Sequence, residues 1–277
     1  FIYNLLLSMA AFNSVNDLQR YMVEEYYNGP PNPEAEQALI LGFLDTQDYD
    51  LVLLMLEKGC NLTEEIKEKC LSSFNLRLCI FSYPKNVRLP IISQRVLMRN
   101  ACENGNLQFV KWLLSKRCYR GKWNCATAAR GGHLDILKLL RSKECPWDES
   151  TCAYAAKGGH LEVLKWARSN GCPWDRETCK YAAKGGHLEL LQWAISNGCR
   201  WHKNICTYAA LGGHLELLQW ARSQGCPWDK YTALNAANSG HLKVLKWAIE
   251  NGCPYDINKL KYCGGHHKRI RKYLETL

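Results

Sequence analysis

From Leu161 to Ser169 the apolar positions fall at helical spacing: Leu161, Leu164 and Ala167 form a stripe that Val163 and Trp166 widen. Gly171 closes the segment. Just upstream, Thr151 to Lys157 predicts a shorter helix, with Asp148 as its N-cap after Pro146 and Gly158-Gly159 as a left-handed stop. The Ala155-Ala156 pair leaves that helix small enough for a neighbour to approach closely. No alternating run of β-branched residues occurs between Gly171 and Gly185, so no strand is expected there. The pattern reads as two helices joined to the next segment by a short Cys-Pro-Trp-Asp connection.

The same pattern then recurs. His133, His160, His187, His214 and His241 stand 27 residues apart, each between a Gly and a Leu. A fixed period of that length means stacked copies of one small unit. Full copies run from Cys145, Cys172, Cys199 and Cys226; Cys118–Glu144 is a fair copy, and Asn104-Gly105-Asn106-Leu107 keeps the same phase. Asp50–Cys60 and Ala10–Tyr27 resemble half-units, and Asn61–Arg88 reads as a degraded unit. With 277 residues the chain accommodates about ten helix-turn-helix units, an all-α solenoid over 1–277: degenerate over 1–90, regular over 91–256, and closed by a cap over 257–277. In that cap the unit is shortened by two residues before His266. Ile270, Tyr273, Leu274 and Leu277 share one helix face there, with Lys268, Arg269, Arg271 and Lys272 on the rest.

A leucine-rich repeat, with its L-x-x-L-x-L pattern, is the rival at this period. Leu188-x-x-Leu191-x-Trp193 approaches it, but Ala-Ala-x-Gly-Gly is helix chemistry and Trp recurs at 166, 193, 220 and 247. The block A-A-K-G-G-H-L-E-V-L-K-W-A-R-S-N-G instead resembles the core of an ankyrin repeat, matching at Ala155, Ala156, Gly159, His160, Leu161, Glu162, Leu164, Lys165 and Gly171. The match is strong over Asn100–Asn251. The ankyrin unit has 33 residues; six are missing here, all between the terminal Gly and the Ala pair, so the resemblance implies shortened or absent β-turn fingers. The C-P-W-D units are similar to those in ankyrin arrays of large DNA viruses, amoebae and oomycetes. By family analogy an N-terminal adaptor such as an F-box, in a chain that does not begin with Met, would make the array the substrate-reading arm of a ubiquitin ligase.

Composition changes the picture in a few places. The chain is 47% hydrophobic, yet no apolar run reaches the roughly 18–20 residues that span a bilayer, and Phe1–Phe12 reads as a first packed helix rather than a signal segment. Of fifteen cysteines, six fall in one column from Cys118 to Cys253, and Cys125, Cys152, Cys179 and Cys206 form another. Stacked copies set equivalent atoms roughly 8–10 Å apart. That is too far for a column to cross-link itself or to surround a zinc ion. Free thiols imply a reducing compartment, cytosol or nucleus, and the host cytoplasm if the chain is viral. The same spacing denies the histidines a shared metal, so a structural role at the helix junction, bonding backbone of the same or the next unit, is expected of them. Trp147, Trp174, Trp201 and Trp228 read as covers for the inter-unit seams, with base stacking as the functional alternative. No cofactor, small-molecule substrate or catalytic motif is indicated, and the chain reads as a non-enzymatic monomer.

Charge points to partners. Residues 1–90 carry 7 Lys/Arg against 12 Asp/Glu, a net of −5, and residues 91–277 carry 29 against 14, a net of +15. On the first helix of each unit, positions four apart share a face, and these positions vary most between copies. The resemblance places the residue after the Ala pair, Arg130, Lys157, Lys184, Leu211 or Asn238, on the concave side of an ankyrin array. The expected binding surface joins Arg130, Lys157, Arg176, Lys180, Lys184, Lys203, Lys230, Leu211 and Leu234 with Tyr154, Tyr181 and Tyr208 as aromatic anchors. It would take a protein partner with an acidic surface, as a scaffold for substrate recognition or host interaction. Nucleic acid or an anionic surface bound through the basic two-thirds is the alternative, and its steep salt dependence would reveal it.

Overall fold

The computed structural model describes residues 23, 33–73, 75–83, 89, 91–201 and 204–277. The apolar start Phe1–Phe12, the half-unit read over Ala10–Tyr27 and the site residue Lys203 lie outside the described residues, Val23 excepted. All regular structure among the described residues is helical. The chain forms two compact parts, Phe1–Leu97 with Lys111–Tyr119, and Met98–Val110 with Arg120–Leu277.

In the first part, α1 (Pro33–Asp45) pairs with α2 (Tyr49–Glu57), and α3 (Glu64–Ser72) with α4 (Leu76–Ser82). Helix α1 packs on α3 and α2 on α4, so two helix pairs stack. Ile40, Val52, Met55, Leu56, Ile66 and Leu78 are buried between them. The stretch Asn61–Arg88, expected to be degraded, thus holds a helix pair without the Gly-Gly-His turn. Thr63 caps α3 through Ile66 N (3.4 Å), and Asn75 Oδ1 accepts from Arg77 N and Leu78 N at 3.1 and 3.2 Å. Helices α5 (Ile91–Glu103) and α6 (Leu107–Ser115) come next.

The second part repeats one plan: α7 (Lys122–Gly131) with α8 (Leu134–Ser142), α9 (Glu149–Gly158) with α10 (Leu161–Ser169), α11 (Arg176–Gly185) with α12 (Leu188–Ser196), α13 (Ile205–Gly212) with α14 (Leu215–Ser223), α15 (Lys230–Asn238) with α16 (Leu242–Glu250), and α17 (Ile257–Gly264) with α18 (Lys268–Leu274). The first helices stack in series from α7 to α17, and each second helix packs on its own first helix. Small side chains make the close series possible: Ala155, Ala156, Cys152 and Thr151 of α9 are buried, as are their counterparts in α11 and α13. The second helices supply bulk instead. Val163, Leu164 and Ala167 of α10 are buried, each large aliphatic stabilising by about 1.5–3 kcal/mol.

Asp148 caps α9 as expected, Oδ1 accepting from Ser150 N at 3.0 Å, and the helix begins two residues earlier than the sequence suggested because the cap orders Glu149 and Ser150. Residues 143–148 join α8 to α9 without a strand, so the finger is reduced to a turn. Asp175, Asp229 and Asp256 cap in the same way. From Cys118 onward two linkers lack both Pro and Asp: Cys118-Tyr119-Arg120-Gly121, where Gly121 precedes α7 with no side-chain cap, and Cys199-Arg200-Trp201-His202. At the latter Asn204 makes no side-chain cap, and α13 starts only at Ile205.

The histidine ladder locks each unit to the one before it, rather than to its own or the next as expected. His160 Nε2 lies 2.9 Å from the carbonyl of Arg130, and His133, His187, His214 and His241 reach back in the same manner to Glu103, Lys157, Lys184 and Leu211. The acceptor is a carbonyl, so Nε2 carries the hydrogen. These carbonyls belong to the last turn of the first helix, where no intrahelical partner exists. In the cap the rung is His267, 3.0 Å from the Asn238 carbonyl, so that unit is one residue short rather than two. Asn106 occupies the histidine column yet caps α6 instead, Oδ1 accepting from Phe109 N at 3.0 Å.

The Gly pair is the seat of the ladder. A Cβ at Gly158 would lie 2.4 Å from the Arg130 carbonyl and 2.5 Å from the His160 ring, and one at Gly132, whose φ is +81°, would lie 2.6 Å from His160. Gly171 also has positive φ, +79°, but nothing lies within 4 Å of its missing Cβ. Gly171→Ala is therefore expected to cost only left-handed strain, roughly 1–2 kcal/mol, whereas Gly132→Ala adds overpacking of about 1–3 kcal/mol. In urea melts His160→Ala should remove much of that extra cost in the double variant; strict additivity of Gly132→Ala and His160→Ala would contradict the seat.

Candidate interaction surface

The stacked first helices bring part of the expected surface together as a ladder of rings and cations. Trp123 on α7 meets Tyr154 on α9 edge to face at 6.0 Å, and Tyr154 tilts toward Tyr181 on α11 at 6.4 Å. Lys157 Nζ sits 5.6 and 5.7 Å from the Tyr154 and Tyr181 ring centres, and Lys180 Nζ 5.4 Å from both Tyr181 and Tyr208. Tyr154, Tyr181 and Tyr208 lie one period apart at the same helix position, so stacking alone aligns them, and each cation finds the faces of two successive rings. All three are half-buried, while Lys157 and Lys184 are exposed.

Other expected residues are committed elsewhere. Arg130 is paired with Glu103, 3.2 Å away and 27 residues earlier in the same column. Lys180 donates to Glu177 at 2.7 Å, which raises its pKa. Lys184 lends its backbone carbonyl to His214, and its side chain makes no ion pair among the described residues. Arg176 lines an open cavity of about 500 Å³ with Trp174, Asp175, Gly198 and Arg200. Lys230 and Leu234 sit apart from the ladder, in a small hollow with Tyr231, Asp256, Lys259 and Leu260. Leu211 is half-buried.

Sequence reasoning missed Trp123 and Arg200. Trp123 is 53% exposed and heads the ring ladder; its signal is an aromatic at a position where the next three copies carry Ser150, Glu177 and Asn204. Arg200 stands where four other copies have Pro and the Cys118 copy has Tyr119. Tyr262, two periods beyond Tyr208, is 89% exposed on α17.

The opposite column of rings is occupied. Trp147, Trp174 and Trp228 each pack on the Trp of the following second helix at 5.7–6.0 Å, and a guanidinium covers each: Arg141, Arg168 and Arg222 lie 4.2–4.3 Å from the ring centres. Lys138 and Lys246 lie on exposed positions of the second helices.

A family model described as ankyrin repeats in three copies matches residues 179–260. The segment 179–260 carries ankyrin repeats. A solved structure, the human ASB11 ankyrin repeat domain, is similar at 15% identity with a TM-score of 0.46, covering 56% of this chain and 83% of that one. No curated protein matches. The described residues contain no group of three or more His, Cys, Asp or Glu able to hold a metal ion, and no described helix is long and apolar enough to cross a membrane.

One contact on this face has a pH signature. Burial works to raise the Asp148 pKa, but Lys122, at 2.7 Å, and the Ser150 cap outweigh it and hold the carboxyl below its ordinary value. A lowered folded pKa adds stability that is complete above the unfolded pKa and lost as pH falls through the folded one. Between about pH 5 and about pH 2 the wild type should therefore lose stability faster than Asp148→Asn, as read from urea midpoints across that range.

Proposed function

We propose that this chain is a non-catalytic scaffold that holds an acidic protein segment along the first-helix face of its ankyrin units. Ankyrin repeats mediate protein–protein interaction as a class. The observation that carries the reading is the ladder of Tyr154, Lys157, Tyr181, Lys180 and Tyr208. Aromatic anchors shared by three successive copies alternate there with cations at positions that differ between copies. Rings of this kind supply buried contact area at small entropic cost, and the cations select carboxylates. The exposed cations Lys157, Lys184, Arg176 and Lys230 have no internal carboxylate partner among the described residues, and the first three, nearest the ring ladder, are read as the groups that meet the partner. The 27-residue C-P-W-D units, read as the type carried by large DNA viruses, amoebae and oomycetes, fit a substrate-recognition or host-interaction role in a reducing compartment.

Binding of nucleic acid is the second reading, favoured by the net charge of +15 over residues 91–277. The guanidinium covers on Trp147, Trp174 and Trp228 weigh against base stacking on that column, because a ring face already occupied by Arg is not open to a base.

Partners recovered by co-purification and identified by mass spectrometry provide the ligand for the test. The triple variant Lys157→Glu, Arg176→Glu, Lys184→Glu should weaken that partner by at least about tenfold in Kd, roughly 1.4 kcal/mol, with no change in melting temperature. Unchanged affinity would sink the assignment of the face. Tight binding of labelled duplex DNA that collapses between about 50 and 200 mM salt would favour the second reading.

A further inference from the structure

Away from the interaction face, the two cysteine columns interleave. Neither column can cross-link itself, but a first-helix cysteine of one unit approaches the cysteine that opens the next, 20 residues later: Cys179 meets Cys199 thiol to thiol, and Cys125 and Cys206 approach the carbonyls of Cys145 and Cys226. Cys179 on α11 is fully buried, and its Sγ lies 3.0 Å from Sγ of Cys199, which is 4% exposed in the following linker. Cys199 Sγ also lies 3.4 Å from the Asp175 carbonyl, which helps hold it against α11. The same 20-residue offset recurs at Cys152 and Cys172 and at Cys206 and Cys226, where Cys206 Sγ lies 3.7 Å from the Cys226 carbonyl. All fifteen cysteines are free thiols.

We propose that Cys179 with Cys199, and by the same geometry Cys152 with Cys172 and Cys206 with Cys226, are modification sites at which a peroxide forms intrachain disulfides. Each disulfide staples the first helix of one ankyrin unit to the linker that opens the next. The linker sulfur reacts first. Against the effect of burial, the neighbouring Cys206 thiol draws the Cys226 pKa down to about 7, with Trp201 and Arg222 assisting; Cys199 and Cys172 are lowered in the same direction by Cys179 and Cys152. The first-helix thiols are pushed up correspondingly and keep their protons. The linker thiolate attacks one peroxide oxygen, the O–O bond breaks, and hydroxide leaves, giving a sulfenic acid. The neighbouring thiol then attacks the sulfenic sulfur, the S–S bond forms, the S–O bond breaks, and the hydroxyl departs as water with that thiol's proton. Two thiols are oxidised and one peroxide is reduced to two waters. A dithiol of this kind is compatible with a reducing compartment, where disulfides are transient and redox-sensing.

The test is peptide mapping of the folded full chain after hydrogen peroxide, with remaining thiols blocked and digestion by trypsin without reductant. The expected product joins residues 177–180 to residues 185–200 and disappears with dithiothreitol or in Cys199→Ser. Random closure favours the shorter loop, so an unstructured reaction would give Cys172–Cys179, joining residues 169–176 to 177–180. In the folded chain the Cys179–Cys199 product should exceed that one by about tenfold or more, and the preference should vanish in urea. The proposal is overturned if Cys172–Cys179 is equally abundant in the folded chain, if the preference persists in urea, or if Cys179 and Cys199 stay blocked as thiols while other cysteines oxidise.

Discussion

Each regular unit gives the imidazole of its histidine to the last-turn carbonyl of the unit before it, and the rest of the C-terminal array depends on that bond. A helix end leaves carbonyls without intrahelical partners, and here a neighbouring unit satisfies one of them, as His160 does for Arg130. At His133, His160, His187 and His214 two glycines clear the path for the ring; at His241 the first of them is Ser239, and the ring still lies 3.2 Å from the Leu211 carbonyl. Gly158 lies against both the Arg130 carbonyl and the His160 ring, and Gly132 receives the same ring from the other side. The Gly-Gly-His triplet is thus one device spread over two units, and its repetition sets the register in which everything else stacks.

That register decides what the exposed face presents. With Ala, Cys and Thr buried along the first helices, successive helices lie close enough for side chains one period apart to touch. Tyr154, Tyr181 and Tyr208 become one run of rings, and Lys157 and Lys180 settle between them. The same proximity withdraws charge from the face. Arg130 meets Glu103 one period earlier, and Lys122 meets the cap carboxylate of the next unit. The ring face therefore keeps fewer free cations than its sequence suggests, with Lys157, Lys184 and Arg176 exposed and outside any ion pair among the described residues.

The linkers do a comparable amount with four residues. In Cys-Pro-Trp-Asp the Asp caps the next first helix and the Trp packs on the outer helix beneath an arginine, while in the linker that Cys199 opens the Cys meets a thiol of the preceding unit. Where Pro and Asp give way to Arg200 and His202, the cap is lost and α13 starts late. The open cavity beside Arg176 and Arg200 lies at this irregular junction.

Much of this was legible in the residues alone. The 27-residue period, the helix pair in each unit, the Asp148 cap and the buried state of the cysteines derive from local spacing and side-chain chemistry, because a helix and its caps are decided within a few residues. The rings Tyr154, Tyr181 and Tyr208, with Lys157 and Lys180, could be placed on one face for the same reason. What only the tertiary structure decided is every contact made across a period. The direction in which the histidines reach, the choice of His267 over His266, the neutralisation of Arg130 by Glu103 and the meeting of Cys179 with Cys199 all depend on how far one unit is displaced on the next. A repeating sequence states which positions are equivalent; the distance between equivalent positions is set by the side chains packed between them.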